Sequence, residues 1–290
     1  GPDVCRIFHG RGGLHPGCEH LSLDWYAPVW VLTSFQPLSD AELQTVQTAL
    51  AQRPEPLNWV LQLRLPGQGG SDTRLMAGSV PEPHVVMEQG ARYRVHVLKG
   101  QNHGLFLDMA GGRQWLRAQA PGLRVLNLFA YTCAFSVAAL QGGAAEVVNV
   151  DMAAGALAIG QQNHQLGGLT GARFLAHDLF KSWGKVKRMG PYDIVVADPP
   201  SYQKGSFVAA KDYARVVRRL PELLAPGGRA LLCLNAPELP CRFLTDLVAA
   251  EAPGLQWVCR LDNPAVFADI DPERALKVML FQMADGPGIP

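Results

Sequence analysis

Three features that would place this chain of 290 residues in other protein classes are missing from its sequence. The six cysteines form no C-x-x-C pair, so neither a zinc site nor a disulfide framework is indicated, and we expect no metal. The apolar run from Trp25 to Phe35 is too short to cross a membrane, and Pro28 interrupts it. No secretory signal pattern is found, and we therefore expect a cytoplasmic protein that binds no membrane.

The sequence also carries little net charge. Its formal net charge at pH 7 is +1, so no global basic field points to a nucleic acid as partner. Apolar residues, by contrast, make up 48% of the chain, and only 18% of the residues are charged. This composition is sufficient for a packed core and excludes general disorder, and the length suits one large domain or a domain with a smaller one.

The N-terminal part of the chain, residues 1–84, is rich in predicted strands. One helix is predicted there, because Ser39 and Glu42 are typical of a helix start and the apolar pattern continues to about Gln52. We treat residues 1–84 as a strand-rich N-terminal region, and one hypothesis is that it binds the substrate.

From residue 85 to residue 290, predicted strands and helices alternate. This alternation is typical of an α/β fold with a doubly wound, Rossmann-like parallel sheet. The last two predicted strands, Leu255 to Leu261 and Leu276 to Gln282, are joined by a long polar loop, which suits a reversed edge strand.

Polar residues follow several predicted strands at the point where each strand ends: Asn127, Asp151, Asp178 and Asp198. Because ligands of open α/β sheets bind at the carboxyl ends of the strands, we expect these side chains to line one edge of the sheet. Asp151 lies 24 positions after Asn127, about where a carboxylate on the second strand accepts from ribose hydroxyl groups.

An adenosine-containing ligand fits this edge. Asp178 is placed to accept from an adenine amino group, with Leu179 and Met152 as apolar surfaces around the ring. A nicotinamide-binding domain would share the ribose carboxylate, but it needs G-x-G-x-x-G so that pyrophosphate can approach the helix start. The corresponding turn, Asn127 to Thr132, contains no glycine, which favours a ligand without pyrophosphate, such as S-adenosylmethionine.

The predicted catalytic residues follow an apolar run, Ile194 to Ala197. An acidic residue and two prolines come directly after this run. The run predicts a strand buried on both faces. Pro199 and Pro200 have no N–H, so carbonyl oxygens there remain free to accept from a substrate N–H. Tyr202 supplies a flat ring on which a planar heterocycle can stack. The predicted catalytic, base-holding residues are Asp198, Pro199, Pro200, Ser201 and Tyr202.

Residues 85 to 285 resemble a family of bacterial class I S-adenosylmethionine-dependent rRNA methyltransferases. The resemblance is to the guanine-N7 methyltransferase half of the bifunctional large-subunit rRNA enzyme and to related cytosine-C5 enzymes. The segments that carry it are Gly100-Gln101-x-x-Gly104-x-Phe106-Leu107-Asp108, Asn127 to Thr132, Asp151, Asn163 to Gly168, Asp178, Asp198 to Tyr202, and Gly227-Gly228.

The resemblance implies that residues 85–290 form a class I methyltransferase domain, with S-adenosylmethionine as cofactor. In such enzymes the segment matching Phe106 to Asp108 closes over the methionine end of the cofactor. Two departures from the family pattern are Cys133, where glycine usually follows Tyr-Thr, and Asn102-His103, where Lys-Thr is usual. The implied cofactor-binding residues are Phe106, Asp108, Asn127, Phe129, Ala130, Tyr131, Thr132, Asp151, Met152, Asp178 and Leu179.

The target atom is predicted from the cysteines. Cytosine-C5 transfer needs a thiolate that attacks the ring, and in the cytosine-specific relatives this cysteine follows the fifth strand. Ala236 occupies that place here, and we expect Cys233 and Cys241 to be structural. We therefore favour a base nitrogen of large-subunit rRNA, with guanine N7 first, Asp198 as acceptor and Asn235 as a further contact.

Other functions remain open from the sequence. They are cytosine-C5 transfer to rRNA, methyl transfer to a nitrogen of a small molecule or protein, and RNA binding without catalysis. Two basic groups flank the predicted catalytic strand and favour an RNA partner, although a solvated helix face would explain either group alone. The groups are Lys181, Lys185, Lys187 and Arg188, and Lys204, Lys211, Arg215, Arg218 and Arg219.

Overall fold

The computed structural model describes residues 3–285. Its backbone contacts divide the chain into two compact units. The first unit holds the chain up to Asp108 together with Pro264–Ile270, and the second holds Met109–Asn263 and the chain from Asp271 onward. This division falls after Asp108, and the domain boundary after residue 84 stays a prediction.

The first unit is built on a five-stranded sheet with the order β1-β2-β3-β4-β5. Neighbouring strands are antiparallel except β3 and β4, which are parallel and are connected through α1. The sixth and seventh strands form a separate hairpin. The elements are β1 (Cys5–His9), β2 (Leu21–Tyr26), β3 (Val29–Ser34), α1 (Asp40–Ala51), β4 (Trp59–Leu63), β5 (Asp72–Ala77), β6 (His84–Glu88) and β7 (Ala91–Val95).

The five-stranded sheet has one apolar and one polar face, because successive side chains of a strand point to opposite sides. Trp30, Trp59 and Leu61 belong to the apolar core, into which Leu50 of α1 also packs. We call the other face the polar face because, beside buried valines of β3 and β4, it carries polar side chains that are also buried: Ser22, Asp24, Thr33 and Gln62.

The predicted start of α1 is confirmed by its capping interactions. The Ser39 Oγ accepts from the Glu42 backbone N–H at 3.2 Å, and a Glu42 carboxylate oxygen accepts from the Ser39 N–H at 2.7 Å. This reciprocal capping box satisfies two N–H groups that the first turn of the helix leaves without partners.

The second unit contains a seven-stranded sheet with the order β10-β9-β8-β11-β14-β16-β15. The first five strands in this order are parallel, which confirms the doubly wound sheet. The reversed strand is β16, which lies one position in from the edge, between β14 and β15. The elements are α2 (Ala110–Gln119), β8 (Arg124–Leu128), α3 (Ala134–Gln141), β9 (Glu146–Asp151), α4 (Ala154–Leu166), β10 (Ala172–Ala176), α5 (Trp183–Arg188), β11 (Tyr192–Ala197), β12 (Tyr202–Gln203), β13 (Phe207–Val208), α6 (Ala209–Val217), α7 (Leu220–Leu223), β14 (Leu224–Leu234), α8 (Cys241–Glu251), β15 (Leu255–Leu261) and β16 (Lys277–Met283).

Helices cover both faces of this sheet, and the strand side chains alternate between two cores. In β11, Val195 and Ala197 pack into the core that α6, α7 and α8 cover. Ile194 and Val196 pack into the core on the opposite face, where α2 and α3 lie. The continuous apolar run was therefore read correctly as a central strand that is buried on both sides.

Within residues 3–285, no helix has both the length and the apolar character that a membrane span requires. The six cysteines all lie in this part of the chain, and all six are free thiols.

Helix α4 approaches the loop after β8 very closely. A Cβ atom added to Gly160 would lie 2.5 Å from the Cys133 Sγ and 3.0 Å from its Cβ. Gly155, on the same helix, has no atom within 4 Å of its added Cβ. Only one of these two helical glycines is therefore required by packing.

We expect Gly160→Ala to lower the free energy of unfolding by about 1–3 kcal/mol, because the new methyl group overpacks a site that Cys133 fills. Urea denaturation measures this loss. Gly155→Ala is the matched control and is expected to be neutral or stabilising by up to about 1 kcal/mol. Adding Cys133→Gly to Gly160→Ala removes the opposing atoms and should restore most of the lost stability. Equal stabilities for the two alanine variants would show that the approach is not tight.

Candidate active site

The turns that follow β8, β9 and β11 meet at one edge of the second unit's sheet. The Ala130 N–H donates to the Val150 carbonyl at 3.0 Å, which ties the turn after β8 to β9. The Asp198 N–H reaches the Leu128 carbonyl at 3.4 Å, which ties the residue after β11 to β8. Backbone pairing thus continues past the strand ends and brings the predicted segments together.

The turn after β8 has an unusual backbone conformation. Phe129, Tyr131 and Cys133 have φ angles of 57°, 53° and 63°, in the left-handed region that favours glycine. Three alternate residues of this glycine-free turn therefore have the left-handed conformation. One of them is Cys133, at the position where the rRNA methyltransferases that the sequence resembles usually have glycine. Such backbone strain is concentrated at functional sites and persists only where surrounding interactions hold it.

Asp151 holds this turn in place. One of its carboxylate oxygens accepts from the Tyr131 N–H at 2.9 Å, and the other accepts from the Ala153 N–H at 2.8 Å. An ionised carboxylate has about four acceptor positions, so this half-buried group retains capacity for ribose hydroxyl groups. The arrangement fits the ribose contact predicted for Asp151.

Asp178 begins a short 3₁₀ turn, and its carboxylate accepts from the Phe180 N–H at 3.0 Å. The carboxylate is half-buried, whereas Leu179 is buried in the core. Met152, which is predicted to contact the adenine ring, is 56% exposed.

Asn127 is not brought to this edge. Its side chain is buried, because the alternation along β8 directs it between the sheet and its helices. The Asn127 amide donates to the Asn149 Oδ1 at 2.9 Å, and the Asn149 amide donates to the Ser136 Oγ at 3.0 Å. His164 continues the chain, with 2.8 Å between its Nε2 and the same Oγ. Asn127 thus belongs to an internal polar network.

Two further predicted cofactor residues have buried side chains. Thr132 is buried, and its carbonyl accepts from the Asn163 amide at 3.1 Å. Ala130 packs against Cys133 and Leu157. These residues shape the turn through their packing and their backbone hydrogen bonds.

The segment after β11 presents its polar groups at the surface. Pro199 is buried, Asp198 is half-buried and Ser201 is exposed. Tyr202, which is 68% exposed, pairs with Val208 in the two-residue hairpin β12–β13. The ring predicted to stack on a base is therefore accessible.

An aromatic cluster that the sequence analysis missed connects three predicted segments. The Phe207 ring of β13 lies 5.3 Å from the Phe129 ring and 6.3 Å from the Phe180 ring, measured between centroids. The Arg215 guanidinium covers Phe180 at 3.8 Å. The only sequence signal was an aromatic residue close to each predicted segment, and such residues are common in cores.

Two buried polar side chains fix the neighbouring strand ends. The Tyr213 hydroxyl donates to the Cys233 carbonyl at 2.7 Å and lies 3.4 Å from the Ala197 carbonyl, directly before Asp198. Burial raises the pKa of Tyr213 well above its usual value. The Lys277 amine donates to the Ala236 carbonyl at 3.3 Å, and burial lowers the pKa of Lys277.

Several of the predicted RNA-guiding cations have carboxylate partners. Arg218 bonds Glu251 at 2.5 Å, and Glu222 accepts from both Arg219 at 2.8 Å and Lys187 at 3.2 Å. Helix α6 ends at Val217, so Arg218 and Arg219 lie beyond the helix that carries Lys211 and Arg215. The net positive charge around these two basic groups is therefore smaller than the sequence indicates, because nearby carboxylates neutralise part of it.

Phe106 and Asp108 belong to the first unit. Phe106 is 40% exposed and Asp108 is half-buried. Both line a cavity of about 240 Å³ in that unit.

Residues 5–282 match the model of a family described as S-adenosylmethionine-dependent methyltransferase. The ribosomal RNA large subunit methyltransferase I of Aeromonas salmonicida is 35% identical over 187 residues, which cover 62% of this chain and 47% of that protein. A ribosomal RNA large subunit methyltransferase of Deinococcus radiodurans is 30% identical over 302 aligned residues, covering 97% of this chain and 72% of that protein. The chain spans about half the length of the Aeromonas protein.

Solved structures share the fold over nearly the whole chain. A SAM-dependent methyltransferase from Streptococcus mutans has a TM-score of 0.85 and 26% identity, covering 97% of this chain and 75% of its own. A methyltransferase complexed with SAH has the same TM-score and 24% identity, covering 97% of this chain and 76% of its own. The predicted fold class and cofactor are confirmed, and the chain belongs to the S-adenosylmethionine-dependent methyltransferase family.

Proposed function

We propose that this chain transfers the methyl group of S-adenosylmethionine to a base of large-subunit rRNA. The observation that carries the proposal is the Asp198–Tyr202 segment, which follows the middle strand β11 and presents an exposed aromatic ring beside a half-buried carboxylate. The names of the Aeromonas and Deinococcus relatives support rRNA as the substrate class. Such a substrate would make the protein cytoplasmic.

The residues at the sheet edge fit the cofactor. S-adenosylmethionine supplies an activated methyl group on a sulfonium sulfur. Asp151 accepts from the ribose hydroxyl groups, while Asp178 accepts from the adenine amino group and Met152 contacts the ring. Phe106 and Asp108 remain proposed contacts for its methionine end.

The base is held by the segment after β11. Asp198 accepts from a base N–H, the carbonyl oxygens at Pro199 and Pro200 accept in the same plane, and Tyr202 stacks on the ring. Asn235 is a proposed further contact. Methyl transfer to a nitrogen then depends on alignment of that nitrogen with the methyl group, and no protein nucleophile is required.

A nitrogen target, with guanine N7 as the finer proposal, is supported by the state of the cysteines. Cys133 is fully buried beside Asp151, and burial raises the pKa of its thiol. Cys233 is buried within β14, and its Sγ contacts the Met109 thioether at 3.8 Å. Burial also raises the pKa of Cys241, although Arg260 opposes the shift. A thiolate for attack on cytosine C5 is disfavoured at each position.

Nucleoside mass spectrometry of rRNA from cells with and without the protein identifies the modified atom. Loss of one modified guanosine would support the finer proposal, whereas loss of 5-methylcytidine would establish the cytosine alternative. Unchanged rRNA together with methyl transfer to another acceptor would favour a small-molecule or protein substrate. RNA affinity without S-adenosylmethionine affinity in calorimetry would indicate a binding module without catalysis.

We expect Asp198→Asn to lower the rate of methyl transfer to RNA by at least about 100-fold, because the acceptor that positions the base becomes a weaker amide oxygen. Single-turnover transfer of a labelled methyl group measures this rate. The affinity for S-adenosylmethionine should not change. Asp246→Asn, at an exposed carboxylate of α8, is the control. A wild-type rate for Asp198→Asn would exclude the proposed role.

We expect Asp151→Asn to weaken S-adenosylmethionine binding by about 10- to 100-fold, because charge-assisted hydrogen bonds to the turn and to ribose are lost. Calorimetry measures the affinity, and circular dichroism checks the fold. RNA binding should persist. Unchanged cofactor affinity would contradict the assignment of this carboxylate to the ribose.

A further inference from the structure

A cavity of about 240 Å³ lies within the first unit, on the polar face of its five-stranded sheet. Buried polar side chains of β2 and β3 form its wall: Ser22, Asp24 and Thr33 are each at most 5% exposed. The segment from Gln101 to Asp108 and the Phe267 ring also line it. Buried polar groups normally have hydrogen-bond partners, so a cavity lined by such side chains indicates a binding site for a polar ligand.

Charged side chains of both signs line the cavity. They include three guanidinium groups, from Arg6, Arg11 and Arg64, and two carboxylates, from Asp24 and Asp108, and the Asp269 carboxylate acts on the lining His9. Arg6 binds Asp24 through two hydrogen bonds of 2.8 and 3.1 Å.

The two histidines that line the cavity add no charge at neutral pH. Burial and Arg6 lower the pKa of His9 to about 4, and burial and Arg64 lower the pKa of His103 to about 4.

Among residues 3–285, Arg64 forms no ion pair with a carboxylate. Its guanidinium donates to the Gln62 Oε1 at 2.7 Å and to the Gln101 carbonyl, both of which are neutral. Burial, together with the nearby Arg6 and Arg11, lowers the pKa of Arg64, whereas Tyr26 and the Asp24 carboxylate oppose the shift. Neutral acceptors do not neutralise the positive charge of this half-buried guanidinium, which can therefore attract an anion.

A second cation converges on the same place. The Arg11 guanidinium lies 3.8 Å from the centroid of the Phe35 ring, and the Arg64 guanidinium lies 5.9 Å from the same centroid. Like charges at one ring repel each other, and an anion between them would be attracted to both.

Ser22 provides an independent sign of a missing ligand. Its side chain is 2% exposed, and within the described residues its Oγ has no hydrogen-bond partner. A buried hydroxyl group without a partner is unfavourable, and a ligand oxygen in the cavity would satisfy it.

We propose that this cavity binds a phosphate group through Arg64, Arg11 and the Ser22 hydroxyl. We identify this phosphate as part of the backbone of the RNA substrate, an identification that rests on the proposed function. An anion fits better than a base, because the Phe35 ring is already covered by Arg11 and the Asp24 carboxylate is held by Arg6. Guanidinium groups bind phosphate through paired hydrogen bonds.

The first test is the salt dependence of RNA binding, measured by fluorescence anisotropy on a fragment of large-subunit rRNA that the wild type methylates. Arg64→Gln should weaken binding about tenfold at moderate salt and should reduce the slope of log K against log salt by about 0.7–0.9, the value of one phosphate contact. Arg74→Gln, an exposed arginine of β5 that is paired with Asp72, is the matched control and should leave the slope unchanged.

Ser22→Ala tests the cavity without disturbing a folded-state hydrogen bond. The thermal midpoint should be unchanged or higher, because the lost hydroxyl has no partner, while RNA binding should weaken about five- to tenfold. Unchanged RNA affinity in Ser22→Ala would contradict the phosphate site even if Arg64→Gln failed to fold.

Phosphorus NMR with inorganic phosphate identifies the source of the anion. RNA that displaces bound phosphate from the wild type would support the proposal, whereas phosphate and RNA that bind together would assign the cavity to a small anion and overturn it. Weaker S-adenosylmethionine binding by Arg64→Gln, with unchanged RNA affinity, would assign it to the methionine carboxylate and overturn it too.

A wild type that methylates no RNA would remove the proposed function. Normal RNA affinity and salt slope in both Arg64→Gln and Ser22→Ala, with methyl transfer intact, would remove only the phosphate site.

Discussion

The candidate active site depends on the carboxylate of Asp151. Its two oxygens accept from the N–H groups of Tyr131, in the turn after β8, and of Ala153, just after β9. Each non-glycine residue in the left-handed region costs about 1–2 kcal/mol, and the turn after β8 has three of them. Hydrogen bonds to a charged group contribute about 1.5–3 kcal/mol each, so the carboxylate offsets a substantial part of this strain.

Close packing supplies the rest of the support. Cys133 is fully buried, and only a glycine at position 160 leaves room for its thiol. The two positions therefore have to be read together: the side chain at 133 fills the space that the missing side chain at 160 leaves. A family pattern compared position by position records the first as a departure, whereas the structure shows that Gly160 leaves the space that this side chain occupies.

Much of the fold followed from local patterns. The run before Asp198, the Ser39–Glu42 capping box and the long polar loop before β16 were sufficient to predict a central strand, a helix start and a strand reversal. Each signal depends on residues that are neighbours in sequence, which is where periodicity and capping rules apply.

The site was less predictable, because its side chains depend on contacts between distant segments. Asn127 precedes a strand end, yet alternation turns it toward Asn149, a partner that only the β8–β9 register reveals. The Phe207 cluster likewise joins residues that are far apart in the sequence.

The local charge also depends on contacts between segments that are distant in the sequence. Arg218 and Arg219 stand in a basic run, but Glu251 and Glu222 neutralise much of it across the fold. Arg64, by contrast, directly follows the largely apolar strand β4. Among the described residues, its guanidinium donates only to neutral acceptors. The net charge of +1 therefore says little about any one site, since the local field depends on which carboxylate, if any, the fold brings to each cation.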